Sequence, residues 1–152
     1  MPRGIANHML AVGRIMETLG GAAALGGRPA TPAGLLSCVR AGLPYRSLAA
    51  LSAAYGMDPK EMTAIVRLPL RTLARRKAAN HFKADESDRL VRVARVAVLA
   101  EEMLGSREKA SRWLRSPVRA LNNEMPLRRL DTDLGAREVE DLLLRTAHGV
   151  YS

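Results

Sequence analysis

Arg71, Thr72, Arg75, Arg76 and Lys77, with Arg67 just before them, lie in a stretch that holds no acid between Glu61 and Asp85. Arginine pairs bidentately with guanine edges, and both arginine and lysine neutralise phosphate. If residues 69–79 are helical, Arg71, Thr72 and Arg75 fall at i, i+1 and i+4. They then share one outward face opposite Leu70 and Leu73. A second short helix at 59–66, joined by a tight turn, completes a helix-turn-helix pattern. In such a unit Arg71, Thr72 and Arg75 would read bases, while Arg67, Arg76 and Lys77 would hold phosphates. A solvated basic helix in an ordinary bundle is the alternative. Two residues depart from the usual pattern: Arg67 stands where the turn has glycine, and Thr63 where alanine is common. A side chain in a left-handed turn costs on the order of 1 kcal/mol.

Other chemistry has little support. His8, His81 and His148 are far apart in sequence and lack ligand or triad spacing. Glu101 and Glu102 are adjacent, so on a helix they point to different faces. Gly21 and Gly26 have the spacing of a phosphate loop, but Gly27-Arg28 follows where lysine and serine or threonine are needed. The lone Cys38 excludes an intrachain disulfide and reads as a small buried apolar residue. The expectation is a protein that is not an enzyme and takes no metal or cofactor.

The elements that must carry the basic face follow from composition and local signals. Aromatics are 3% of the chain, while alanine, leucine, arginine and valine dominate, which favours an all-α fold. Charge is uneven: the formal balance is +3 over residues 1–44, +7 over 45–116 and −1 over 117–152. A polyanion should therefore meet the middle. Ile5, Met9, Val12, Met16 and Leu19 suggest a first amphipathic helix at 5–19. The Gly-, Ala- and Pro-rich stretch 20–32 reads as a linker or frayed segment.

Further along, Leu48, Leu51 and Tyr55 share a face, and Gly56 can end that helix. Asp58-Pro59 opens the next, with Glu61 placed to reach back as in a capping box. A long helix over 85–103 leaves little polar surface, so it should be central or shared with a partner subunit. Gly105 ends it. Residues 107–114 form another, with Trp113 as a core anchor, before Ser116-Pro117 stops the helix. No stretch approaches the roughly 20 apolar residues of a membrane span, and the N-terminus lacks the long apolar core of a signal peptide. With one cysteine, a reducing, cytoplasmic setting is the simplest inference.

The final thirty-six residues form a short helical unit. Val139, Leu142, Leu143 and Thr146 make one stripe, and spacing pairs Arg137 with Asp141 and Asp141 with Arg145. Gly149 would break the helix and free Val150-Tyr-Ser152, either as an aromatic wedge with a carboxylate or as an ordinary frayed end.

Several segments carry a family resemblance: Leu68-Pro-Leu-Arg-Thr-Leu-Ala-Arg-Arg76, Asp85-Glu-Ser-Asp-Arg-Leu-Val-Arg-Val-Ala-Arg95, Ala100-Glu-Glu-Met-Leu-Gly105, and Ala110, Trp113-Leu114 and Pro117. A stronger set follows at Ala120-Leu-Asn122, Pro126-Leu127, Leu130, Thr132, Gly135, Val139-Glu-Asp-Leu-Leu143, Arg145 and His148-Gly-Val-Tyr151. Over about residues 42–152 the chain resembles the Xre, MbcA and ParS antitoxins of RES–Xre toxin–antitoxin modules. Asn123 departs from that pattern, replacing a usual glycine, and Thr146-Ala147 stands where Ile-Glu is common. Residues 1–41 lie outside the resemblance.

The resemblance implies an Xre-like helix-turn-helix bundle at 42–105, preceded by a helix and flexible linker at 1–41 and followed by a small helical toxin-binding domain at 106–152. It implies a RES-domain toxin that destroys NAD as partner, with the C-terminal domain covering the toxin's cleft. Arg137, Asp141, Arg145, His148, Gly149, Val150, Tyr151 and Ser152 would make the contact, Val150 and Tyr151 nearest the NAD site. Arg145 would otherwise brace the domain. Autorepression on operator DNA by a homodimer is implied as well, with the helix at 85–103 and the N-terminal helix as candidate dimer surfaces. The alternative is a stand-alone repressor without a toxin.

Overall fold

The computed structural model describes the backbone from Arg3 to Ala147 and the side chains of residues 11–146. Its helices are α1 (Arg3–Thr18), α2 (Gly21–Leu25), α3 (Pro32–Ala41), α4 (Tyr45–Tyr55), α5 (Pro59–Val66), α6 (Leu70–Ala79), α7 (Ala84–Leu104), α8 (Arg107–Leu114) and α9 (Asp133–Ala147). Short 3-10 helices at Arg119–Leu121 and Pro126–Asp131 join α8 to α9. Among the described residues, β pairing is confined to an isolated bridge between Val118 and Glu124.

The all-α expectation holds, and most helix ends follow local chemistry. The Asp58 carboxylate accepts from the Lys60 amide at 2.9 Å, capping α5 with Pro59 in its first turn. Gly56 and Gly105 close α4 and α7 in the left-handed conformation. Glu61, however, does not reach back to cap α5. Its Oε1 accepts from Arg115 Nη2 at 2.8 Å, a partner from the end of α8 that sequence spacing does not reveal.

The stretch 20–32 expected as a linker contains a short helix, α2, and leads into α3. α2 buries Leu25, and the Thr31 hydroxyl accepts from the Gly34 amide at 3.1 Å to start α3 at Pro32. α3 in turn buries Cys38 and packs on α7. A Cβ on Gly34 would collide with the Pro29 carbonyl oxygen, so close approach, not flexibility, explains that glycine.

α7 is the beam on which the other elements rest. Its Leu90, Val93, Ala94, Val96, Ala97, Val98 and Ala100 are buried, the larger ones each stabilising the fold by about 1.5–3 kcal/mol. α1, α3, α4, α5, α8, α9 and the second 3-10 helix all pack against it. Three arginines spaced along it each tie down another element. Arg89 Nη1 donates to the Val66 carbonyl at 2.9 Å, Arg92 Nη1 to the Leu130 carbonyl at 3.4 Å, and Arg95 Nη2 to Glu140 at 2.7 Å. Its own chain thus covers much of α7, while Val91 and Leu99 remain only half-buried. Trp113 is half-buried and packs against the core, while its neighbour Leu114 is fully buried.

Candidate functional site

α5, the turn Arg67-Leu68-Pro69 and α6 form the helix-turn-helix pair. Met62, Ile65, Val66 and Leu68 bury its inner side, together with Leu73 from α6. Arg67 adopts φ +57° as the C-terminal cap of α5, and its amide donates to the Thr63 carbonyl. The Thr63 hydroxyl donates to the Lys60 carbonyl at 2.6 Å, so its presence in place of alanine leaves no unmet polar group there.

Arg67, Arg71, Arg75 and Lys77 are exposed, and Thr72 is half-buried. Arg75 Nη2 lies 3.5 Å from Thr72 Oγ1, because helical side chains lean toward the N-terminus. Lys77 Nζ sits 5.9 Å from the centre of the Tyr45 ring, a cation–π arrangement that leaves the ammonium accessible.

Two expectations for α6 need correction. Leu70 does not face inward: it is 60% exposed, while Leu73 alone of the pair is buried. Arg76 is not an outward phosphate contact. Its Nε and Nη2 donate to Glu86 Oε1 and Oε2 at 2.7 and 3.1 Å, and the pair is largely sheltered from solvent. Burial works against the Glu86 charge, but the Arg76 bonds, the Lys83 amide and both cations outweigh it and hold the carboxyl below its usual value.

Beside that pair the α6–α7 loop is locked to the start of α4. The Phe82 amide donates to the Leu43 carbonyl at 2.9 Å, and the Phe82 ring stacks on Tyr45 with centroids 5.9 Å apart. Ser87 Oγ accepts from the Leu43 amide at 2.8 Å. Gly42, at φ +88°, admits this approach, because a Cβ there would collide with the Phe82 carbonyl oxygen. The basic helix is thus presented from a fixed base rather than from a loose loop.

The C-terminal unit presents a second surface. Asn122 and Asn123 both take left-handed backbone, at φ +56° and +63°, and turn the chain so that Val118 pairs with Glu124. Asparagine tolerates this geometry, which explains how Asn123 replaces glycine. Arg129 binds the unit together. Its Nε donates to Glu124 at 2.9 Å, Nη1 to Glu138 at 2.7 Å and Nη2 to the Leu121 carbonyl at 3.1 Å.

On α9, Val139, Leu142 and Leu143 are buried as expected, and Thr146 is half-buried with its hydroxyl donating to the Leu142 carbonyl at 2.8 Å. The expected pairing of Arg137 with Asp141 is replaced. Arg137 Nε reaches back one turn to Asp133 at 2.9 Å, following the N-terminal lean of helical side chains. Arg137, Asp141 and Arg145 are all exposed. Leu134 and Leu144, which spacing alone did not single out, join them as exposed apolar residues at 72% and 40%. Residues 134, 137, 141, 144 and 145 recur at helical intervals, so one outward stripe mixes leucine with charge. His148, Gly149, Val150, Tyr151 and Ser152 lie outside the described residues.

A cavity of about 460 Å³ lies between α5 and the C-terminal unit, lined by Lys60, Ala64 and Ile65 of the first and by Met125, Leu127 and Arg128 of the second. No group of His, Cys, Asp and Glu able to hold a metal lies among the described residues, and no described helix is long and apolar enough to cross a membrane.

Comparison with known proteins places family matches on both surfaces. The antitoxin Xre-like helix-turn-helix domain matches residues 35–95, and the antitoxin Xre/MbcA/ParS C-terminal toxin-binding domain matches 99–149. The first match starts within α3, earlier than the expected 42, and the two part inside α7. The chain is 38% identical over 94 residues to an antitoxin Xre of Pseudomonas putida, an alignment covering 61% of this chain and 58% of the relative. It is 38% identical over 87 residues to one of Yersinia enterocolitica, covering 56% and 59%. A third, from Photorhabdus laumondii, is 37% identical over 90 residues, covering 58% and 61%. The matched stretch thus spans about three-fifths of each relative's own length.

Proposed function

Because the chain belongs to the Xre-type antitoxins, with a helix-turn-helix domain and a toxin-binding domain, we propose that it neutralises a RES-domain, NAD-degrading toxin and represses its own operon. The observation that carries the first part is the division of labour on α9. Its apolar stripe is used up in folding, whereas Leu134, Arg137, Asp141, Leu144 and Arg145 remain on the surface of the segment that matches a toxin-binding domain. Exposed leucines flanked by arginines are the composition of a protein-binding patch. The C-terminal residues His148, Gly149, Val150, Tyr151 and Ser152 follow α9 in sequence and would enter the toxin's NAD cleft, so inhibition would be by occlusion.

The second part rests on α6. Arg71, Thr72 and Arg75 would meet base edges, and Arg67 and Lys77 would meet phosphates, without Arg76, whose fork is committed to Glu86. A two-fold dimer would present two such helices to a palindromic site.

The test is titration calorimetry of the toxin encoded beside this gene against the full chain and against Leu144→Asp/Arg145→Glu. Both changes sit on exposed positions. At least a tenfold loss of affinity with unchanged circular dichroism supports the assignment. Equal affinity would remove α9's outward face from the interface, and no binding by the unaltered chain would leave a stand-alone repressor.

A further inference from the structure

Leu70 is the first residue of α6 and is 60% exposed; among the described residues Leu36, Leu134 and Leu144 are the other exposed large apolar side chains. Ala74, one turn on, is exposed as well, as are Arg71 and Arg75 beside them. Residues at i and i+4 are surface neighbours, so Leu70 and Ala74 form a narrow apolar track with the two arginines running along one side. Isolated exposed leucines are ordinary on protein surfaces. This one differs in its setting. It lies in the acid-free stretch 62–84, on a helix fixed at its far end by the Arg76–Glu86 pair and the Phe82 loop. A contact with a protein core is not suggested by that charge. A polyanion with apolar groups in a groove is.

Duplex DNA offers that combination. In the major groove the thymine C5-methyl is the apolar feature among donors and acceptors, and guanine presents the O6/N7 pair that arginine reads. The N-terminal residues of a helix-turn-helix recognition helix are those that reach base edges. We propose that Leu70, supported by Ala74, is a specificity-determining residue that contacts a thymine methyl beside a guanine read by Arg71 or Arg75. The operator half-site then contains adjacent thymine and guanine on the face met by the start of α6. This inference rests on the DNA-binding reading above.

The experiment uses the full chain and a library of random duplexes on the order of 30 base pairs, long enough for two half-sites one helical turn apart. In the enriched duplex, each thymine is then replaced singly by deoxyuridine, which keeps the pairing edge and lacks the methyl. The unaltered chain should lose about fourfold in affinity at one or two positions per half-site, as expected for one buried methyl. Leu70→Ser should bind the thymine and deoxyuridine duplexes equally. Arg71→Ala or Arg75→Ala should relax the guanine preference while keeping the methyl effect.

Deoxyuridine tolerated at every position, or a penalty that persists in Leu70→Ser, would overturn the proposal. A change of oligomeric state in Leu70→Ser without loss of the methyl effect would do the same, making the leucine a contact between copies. Failure of the unaltered chain to enrich any sequence would overturn DNA reading by α6 altogether. Enrichment without a methyl effect would overturn only the role of Leu70.

Discussion

Arg76 and Glu86 meet across the loop between α6 and α7, two parallel hydrogen bonds of 2.7 and 3.1 Å joining the guanidinium fork to both carboxylate oxygens. Glu86 Oε1 also accepts from the Lys83 amide at 2.8 Å, so one carboxylate caps α7 and fixes the end of α6. The charge that sequence assigns to DNA therefore serves to aim the helix that carries the other charges.

Glu86→Gln should lower the melting temperature on the order of 5 °C and weaken DNA binding although it touches no DNA. The pair also sets an acid limit. The folded Glu86 pKa lies below its ordinary 4.5, so its contribution is complete above about pH 4.5 and disappears as pH falls through the folded value. Thermal melts between pH 3 and 6, an interval of about three units around that carboxylate value, should show a steeper acid loss in the unaltered chain than in Glu86→Gln.

Arg67→Gly separates stability from function. Glycine relieves the left-handed strain at φ +57°, which should raise stability by about 1 kcal/mol in urea unfolding. The same change removes an exposed cation, so the salt dependence of DNA binding should flatten by about one unit of slope. An unchanged slope would place Arg67 away from phosphate.

The sequence signals that proved readable were local ones. Asp58-Pro59, Gly56 and Gly105 mark helix ends because caps are made within a few residues, and the α9 stripe is a periodicity. What stayed hidden depends on distance. Glu61 meets Arg115 from 54 residues away, and Arg76 meets Glu86 across a loop. Leu70 and Leu73 have core spacing, but α6 touches the body of the protein through only part of its length, so its first residue projects beyond the core. In the stretch read as a linker, small residues masked α2 and α3, although Thr31-Pro32 is itself a helix-start signal.

Arg129 links the first 3-10 helix, the Asn122-Asn123 turn and α9 through three acceptors. Arg129→Ala leaves Glu124, Glu138 and the Leu121 carbonyl without that donor and should cost about 2 kcal/mol. Arg129→Lys should recover little of it, because a single ammonium cannot reproduce the fork. Chemical denaturation of both variants tests this.

Burial and a 3.0 Å hydrogen bond to Glu101 push the Tyr55 phenol up to about 12. Its stabilising contribution is fully present below pH 10.0 and is lost as pH rises through about 12. The absorbance titration of Tyr55, isolated as the difference between the unaltered chain and Tyr55→Phe, should remain phenolic at pH 11 in the folded protein, between those two values.

The most direct test of the central claim, the proposed neutralisation of a RES-domain toxin, is NAD consumption by the toxin candidate encoded beside this gene, measured with the full chain and with a chain ending at Ala147. The account predicts that the full chain stops NAD loss and the shortened chain does so far less, although it retains α9. Continued NAD loss in the presence of the full chain, at concentrations where the two proteins form a complex, would contradict it.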